Sequence, residues 1–191
     1  MSDSRRALLW KAVFEIILIS IGVLIAMAVD QWRTDREHSD QARAALQRLK
    51  TEMESNRATV VGVQAYHVEL RRQLGDYLDP KIKAANVQIS RGMSPAIFEH
   101  AAWDLALATQ ALADIDSALA FEIARVYNAQ AMYTGLTTGV TQAMFMRPPT
   151  QELQGFMHSV KVWLDDVVSL EPGLVSSYDR VLPMIDRALK D

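Results

Sequence analysis

The residues able to do chemistry in this chain are few and scattered. There are four histidines (His38, His67, His100, His158) and no cysteine. The nearest approach to a catalytic cluster is Glu99-His100 beside Asp104. His100 and Asp104 fall four apart, a spacing that permits one surface hydrogen bond on a helix. The trio reads as solvated polar surface, and an enzyme would have to build its site from it. Glu-x-x-His, the pattern by which facing bundle helices hold two metals, occurs nowhere, nor does His-Glu-x-x-His. The eight glycines are scattered, so no phosphate-cradling loop is present. No Gly-x-Ser-x-Gly elbow exposes a serine nucleophile. The lack of cysteine excludes disulfides, thiolate metal sites and Cys nucleophiles. No catalytic residue, cofactor or metal is expected, and the chain does not read as an enzyme.

Two other polar residues draw notice because of where they fall. Leu46, Leu49, Met53, Asn56, Val60, Val63, His67, Leu70, Leu74 and Tyr77 step by three and four without a slip. That is a heptad seam, which predicts a long helix buried along one edge. Asn56 and His67 are its polar members. A polar residue in such a seam fixes register and needs a hydrogen-bond partner. His67 reads as a core histidine; the ordinary imidazole range leaves a pH-sensing role open, without support from the sequence. The seam can be covered by later helices of the same chain or by a second copy, and the intramolecular bundle is preferred.

The elements that would position these residues are helices throughout. Asp79-Pro80 ends the seam helix, because Pro disfavours helical geometry in the residue before it. Residues 80–94 form a basic loop (Lys81, Lys83, Arg91) expected to face acidic residues at 99–122. Ser94-Pro95 has the form of an N-cap and first helical residue. It predicts a helix from Pro95 to Tyr133, with Ile97, Ala101, Leu105 and Ala108 opening its apolar stripe. A break is expected near 113–117, where Asp114 and Asp116 can cap a new helix. Gly135, Gly139 and Arg147-Pro148-Pro149-Thr150 mark a loop, with Thr150 as the next cap. The following stripe is Leu153, Phe156, Val160, Trp163, Val167 and Leu170. Glu171-Pro172-Gly173 is expected to separate it from a last helix through Leu174, Tyr178, Val181, Ile185 and Leu189, which Pro183 bends or ends. Trp103, Asp104, Tyr127 and Tyr133 are candidates for framework residues or for the wall of a small-molecule pocket.

The N-terminal segment has a different character. Residues 16–29 carry no charge, and apolar residues extend back to Ala12 with Glu15 as the one interruption. A spanning helix takes about 20 such residues. Trp10 and Trp32 bracket the run, about 33 Å apart at helical rise, the spacing of two interfacial belts. Lys11 and Arg33 stand beside them, placed to reach headgroups. Glu15 reads as an interfacial carboxylate, with a polar contact between helices as the sharper alternative. Gly22 and Ala26 form a small-xxx-small pair that would admit a second helix. A cleaved signal peptide is a rival reading, with Arg5, Arg6 and Lys11 ahead of an Ala26-Met27-Ala28 cleavage pattern. A buried core helix is another. Lys and Arg are nearly tied across the span, three before and four just after. The short basic tail favours the N-terminus inside and the following domain outside the cytoplasm.

Composition agrees with this division. Apolar residues make up 50% and charged residues 23%, which suits a packed core and not a disordered chain. Gly (8) and Pro (6) are sparse, as long uninterrupted helices require. A net charge of −3 gives no general attraction to nucleic acid.

The run from Phe14 to Ala26, with Asp30-Gln31-Trp32, resembles the opening of an uncharacterised family of bacterial single-pass membrane proteins. In that family a Glu-Ile-x-Leu-x-x-x-Gly-x-Leu-Ile-Ala span leads into a Trp and a charged helical stalk. Glu15, Gly22, Ala26 and Trp32 match it. Ala102-Trp103-Asp104, Thr109-Gln110-Ala111-Leu112 and Arg125-Val126-Tyr127-Asn128 are similar to a later Trp … Tyr pattern of the family. The resemblance covers roughly residues 8–133 and implies an anchor, a helical domain, and Trp103 and Tyr127 as shared framework. It implies no activity.

The expected organisation is all-α: a basic tail (1–11), a transmembrane helix (12–32), a stalk helix (33–79), a loop (80–94) and a helical bundle on the stalk (95–191). The expected role is a non-catalytic, membrane-anchored interaction or scaffold module of the bacterial inner membrane. Its partners would be the bilayer and either another membrane or periplasmic protein or a second copy. The alternative is an extracytoplasmic sensory or small-ligand domain acting through a partner.

Overall fold

In this computed structural model the described residues are 3–82, 87–146 and 153–190, with side chains described for Trp10 and from Phe14 onward. They form four helices: α1 (Asp3–Leu78), α2 (Ala101–Ala108), α3 (Ser117–Phe145) and α4 (Leu153–Ala188). A 3-10 turn lies at Ala111–Asp114. Among the described residues there is no strand, and the fold is all-α. The chain divides into two compact units, Met1–Arg43 and Ala44–Asp191.

In the first unit every residue from Phe14 to Asp40 is exposed, including the whole uncharged run 16–29. Ser20 turns its hydroxyl onto the Ile16 carbonyl at 2.8 Å, so its donor is used within the helix. Among the described residues, α1 is the one helix long and apolar enough to cross a membrane by length and composition. Trp10 and Trp32 are both exposed. The Arg36 guanidinium lies 5.8 Å from the centre of the Trp32 ring, within cation–π range. Glu15, Gly22 and Ala26 are exposed, and a Cβ on Gly22 would meet open space. The Lys11 side chain lies outside the described residues.

The second unit carries the core. The seam is buried from Leu46 to Leu74, Asn56 and His67 included. Tyr77 departs from expectation at 38% exposed, one residue before α1 ends. The seam is therefore covered within one copy of the chain. α4 runs antiparallel along α1: Lys50 meets Asp186 at 2.6 Å, Arg57 meets Asp179 at 2.7 Å and Arg71 meets Asp165 at 3.9 Å. Solvated pairs of this kind contribute at most about 1 kcal/mol each, so the buried seam supplies the stability. Helix α3 packs on α4, with Trp163 Nε1 donating to Thr137 Oγ1 at 3.4 Å.

Several sequence expectations fail here. Ser94-Pro95 does not start a helix. Ser94 has φ +48°, Gly92 has φ +64°, and α2 begins only at Ala101. Residues 92–100 instead form a strap whose backbone groups are taken by side chains of α1 and α3. Ile97 (79%) and Leu105 (44%) are consequently exposed rather than part of a buried stripe. Gly135 and Gly139 do not form a loop, since α3 continues to Phe145. Each glycine costs its helix only about 1 kcal/mol. Glu171-Pro172-Gly173 does not break the chain, and α4 runs through both Pro172 and Pro183. Val160, Trp163 and Val167 before Pro172 and Leu174, Tyr178, Val181 and Ile185 after it are buried along one stripe. That burial outweighs the roughly 3 kcal/mol that an internal proline costs. The break near 113–117 is present, with Asp116 as N-cap accepting from Leu119 N at 3.0 Å. Of the basic loop, Arg91 stacks over Tyr66, and of the acids at 99–122, Glu122 meets Arg125 and Arg180. Lys83, Thr150 and the Arg147-Pro148-Pro149 turn lie outside the described residues.

Candidate functional site

The second unit has two buried polar layers, each built around a carboxylate. The upper layer starts from Glu52, one turn before Asn56 on the same face of α1 and 6% exposed. Tyr127 of α3 donates its hydroxyl to Glu52 Oε1 at 2.6 Å. Ala102 N donates to Glu52 Oε2 at 2.7 Å and Trp103 N to Oε1 at 3.4 Å. Glu52 thus caps α2 from another helix, a negative charge at the positive end of the backbone dipole. His100, the residue before α2, offers no side-chain cap of its own. Trp103 stacks on Tyr127 with ring centres 4.6 Å apart and planes at 17°. Gln130 Nε2 donates to the Tyr178 hydroxyl at 2.6 Å, while Gln130 Oε1 is buried without a partner. Turning the amide over would orphan its nitrogen instead.

The lower layer joins α1, α3, α4 and the strap. His67 Nδ1 lies 2.6 Å from Glu171 Oε1, and the two side chains are 0% and 1% exposed. His67 Nε2 lies 3.0 Å from the Met93 carbonyl and 3.1 Å from that of Ser94. Tyr133 donates to Glu171 Oε1 at 3.2 Å and accepts from Ala96 N at 3.2 Å. The Trp163 ring meets His67 edge-on, 5.4 Å between centres. Between the layers, Asn56 grips the strap by both ends of its amide. Its Nδ2 donates to the Glu99 carbonyl and its Oδ1 accepts from Glu99 N, each at 2.8 Å. Asn56 therefore holds a backbone segment in the way a neighbouring strand would.

Burial is the leading influence on all three buried tyrosines. It pushes the Tyr127 hydroxyl far above the ordinary phenol range, and Glu52 raises it further. Tyr133 is also pushed up by burial, with Ala96 N opposing and Glu171 adding to the rise. Tyr178 follows for the same reason, against the bond from Gln130. These phenols act as fixed hydrogen-bond donors and acceptors, not as acids.

Of the residues singled out in the sequence, the structure brings Trp103 and Tyr127 together in the upper layer, places His67 in the lower one and sets Asn56 on the strap between them. It does not bring together Glu99, His100 and Asp104. His100 precedes α2, its ring lies against Tyr127, and Glu99 accepts from Ser55 at 3.3 Å. Asp104 is exposed and its backbone N bonds the His100 carbonyl. Among the described residues, no set of three His, Asp or Glu is grouped to hold a metal. An open groove of about 470 Å³ runs beside Glu52, lined by Arg48, Thr51, Glu99 and Leu105 among others. Both Glu52 oxygens are already bonded to Tyr127, Ala102 and Trp103, so Glu52 itself is not free to hold a ligand in the groove. Glu52, Gln130, Glu171 and Tyr178 were missed in the sequence. Glu171 had a signal: it falls four after Val167 and three before Leu174, on the buried stripe. Glu52 lacked one, since a Glu beside a seam is ordinarily solvated. The chain matches no protein-family model, no curated protein and no solved structure.

Proposed function

We propose that the chain is a single-pass membrane protein whose helical unit serves as a non-catalytic interaction or scaffold module. The observation that carries this is the contrast between two parts of the chain: an uncharged, wholly exposed apolar run at 16–29, and a unit at 44–191 with its own filled core. An exposed run of that length finds its favourable surroundings in a bilayer. Trp10 and Trp32 at its ends, and the resemblance to a family of single-pass proteins, support the same reading. Arg5, Arg6 and Lys11 ahead of the run support an N-terminus in the cytoplasm, with the bundle beyond the inner membrane. The buried groups Glu52, Asn56, His67 and Glu171 are engaged in holding helices and strap together, which suits a scaffold. Crosslinking in native membranes tests the interaction role. A crosslinked neighbour, or a second copy, is the expected result. A strict monomer with no co-purifying protein would contradict it. The sensory alternative would require a pocket with converging polar groups. The open groove beside Glu52 is its best candidate, and ligand-induced thermal shifts lost on Arg48→Ala would favour it.

A further inference from the structure

The hydrogen-bond roles around His67 fix a proton count. Met93 and Ser94 present carbonyl oxygens, which only accept, so His67 Nε2 must carry a hydrogen. At 2.6 Å, His67 Nδ1 and Glu171 Oε1 must hold a proton between them, since two lone pairs would repel at that distance. The pair is imidazolium with carboxylate, or neutral imidazole with carboxylic acid. Either way it holds one proton more than a neutral histidine beside an ionised glutamate. Among the described residues, the groups seen facing it from the other elements carry no cation to replace that proton. They are Tyr133 from α3, whose hydroxyl already donates to Glu171, and Trp163 from α4. Tyr66, next to His67 on α1, has its ring covered by Arg91 and its hydroxyl on the Gly92 carbonyl at 2.6 Å.

The same histidine holds the strap. The described bonds tying residues 92–99 to the helices all end on helix side chains: Tyr66, His67, Asn56, Tyr133 and Ser55. The strap can therefore lift without unwinding a helix. Loss of the shared proton leaves an ionised carboxylate facing an imidazole lone pair in the core, or an imidazole lone pair facing two carbonyls. Both arrangements carry a full penalty for a buried unsatisfied group.

We propose that the strap is a proton-operated latch, closed while His67 and Glu171 share a proton and released when that proton leaves. Release opens the side of the bundle on which Asn56 and His67 bind the strap. Opening frees one proton wherever the open state carries neutral histidine, above the ordinary imidazole range near about pH 6.5. Rising pH then drives opening by linkage. This reading concerns residues 44–191 and stands whether or not the first unit spans a membrane.

The test is hydrogen–deuterium exchange on the full chain in detergent micelles over about pH 5 to 9, bracketing the imidazole titration. The readouts are the Ala96 and Glu99 amides, corrected for intrinsic base catalysis. Their protection is expected to fall about tenfold per pH unit above the imidazole range, the slope for one released proton. Glu171→Gln offers an amide N–H to Nδ1 at every pH and is expected to remove that slope. A flat profile in the native chain, or an unchanged slope in Glu171→Gln, overturns the latch. Should the variant not fold, ring 15N and glutamate carboxyl 13C shifts of the native protein at about pH 8 give the count directly. One shared proton sustains the proposal; an unprotonated pair refutes it.

Discussion

Glu52 shows how one side chain does the work of several. Its two oxygens cap α2, accept the Tyr127 hydroxyl and sit beside the Trp103–Tyr127 stack. Glu52→Ala leaves two backbone N–H groups and a buried phenol without acceptors. It is expected to destabilise the fold by about 2–4 kcal/mol, read as a lower urea midpoint with an unchanged slope. Asn56→Leu removes both grips on Glu99. Were Asn56 only a register device, Leu would be neutral or stabilising. The clamp geometry predicts a loss of about 1–3 kcal/mol, and equal or higher stability would contradict it. The tyrosines make a pH prediction. A phenol raised by burial contributes stability that is intact below the unfolded value near about pH 10. That stability is lost as pH rises beyond it, because only the unfolded chain then ionises. Phenolate absorbance from three of the five tyrosines is therefore expected to rise together with loss of helical circular dichroism. Reversible ionisation of all five with the helices intact would refute their burial.

At the scale of elements, α3 and α4 carry glycines with room to spare. A Cβ at Gly135, Gly139 or Gly173 meets nothing within 4 Å. Alanine at each is expected to stabilise by about 0.5–1 kcal/mol, measured as a higher melting temperature. A loss would mean that these positions are not regular helix. The same glycines mark where sequence reading fell short. Gly135, Gly139 and the Pro172-Gly173 pair are local breakers, and local signals alone predict breaks there. Packing overrode the Pro172-Gly173 pair, because apolar positions on both sides share one buried stripe; beyond Tyr133 no α3 residue is buried, and the helix simply absorbs the modest propensity cost of Gly135 and Gly139. The α4 stripe was legible, since its steps of three and four run unbroken through Pro172. The strap was not legible. Ser94-Pro95 is a sound local signal for a helix start. What defeats it is Asn56, His67 and Tyr133, which offer the strap's backbone better partners from far along the chain. The seam from Leu46 to Leu74 was readable in full, with its polar members placed correctly and their partners hidden.

At the scale of the whole molecule, the proposed membrane anchor concerns the exposed apolar run at 16–29, apart from the core of 44–191. A charge near the middle of a spanning helix costs about 2.5–3.5 kcal/mol on insertion scales. Ile21→Arg is therefore expected to reduce the membrane-bound fraction while leaving the tyrosine and urea transitions of the 44–191 unit unchanged. The most direct measurement is alkaline carbonate extraction of membranes from expressing cells, followed by intact mass of the retained protein. A pelleted chain at 21.4 kDa for the expressed 191 residues, released only by detergent, is expected. Release into the supernatant, or recovery only of a chain shortened at Ala28, would contradict it.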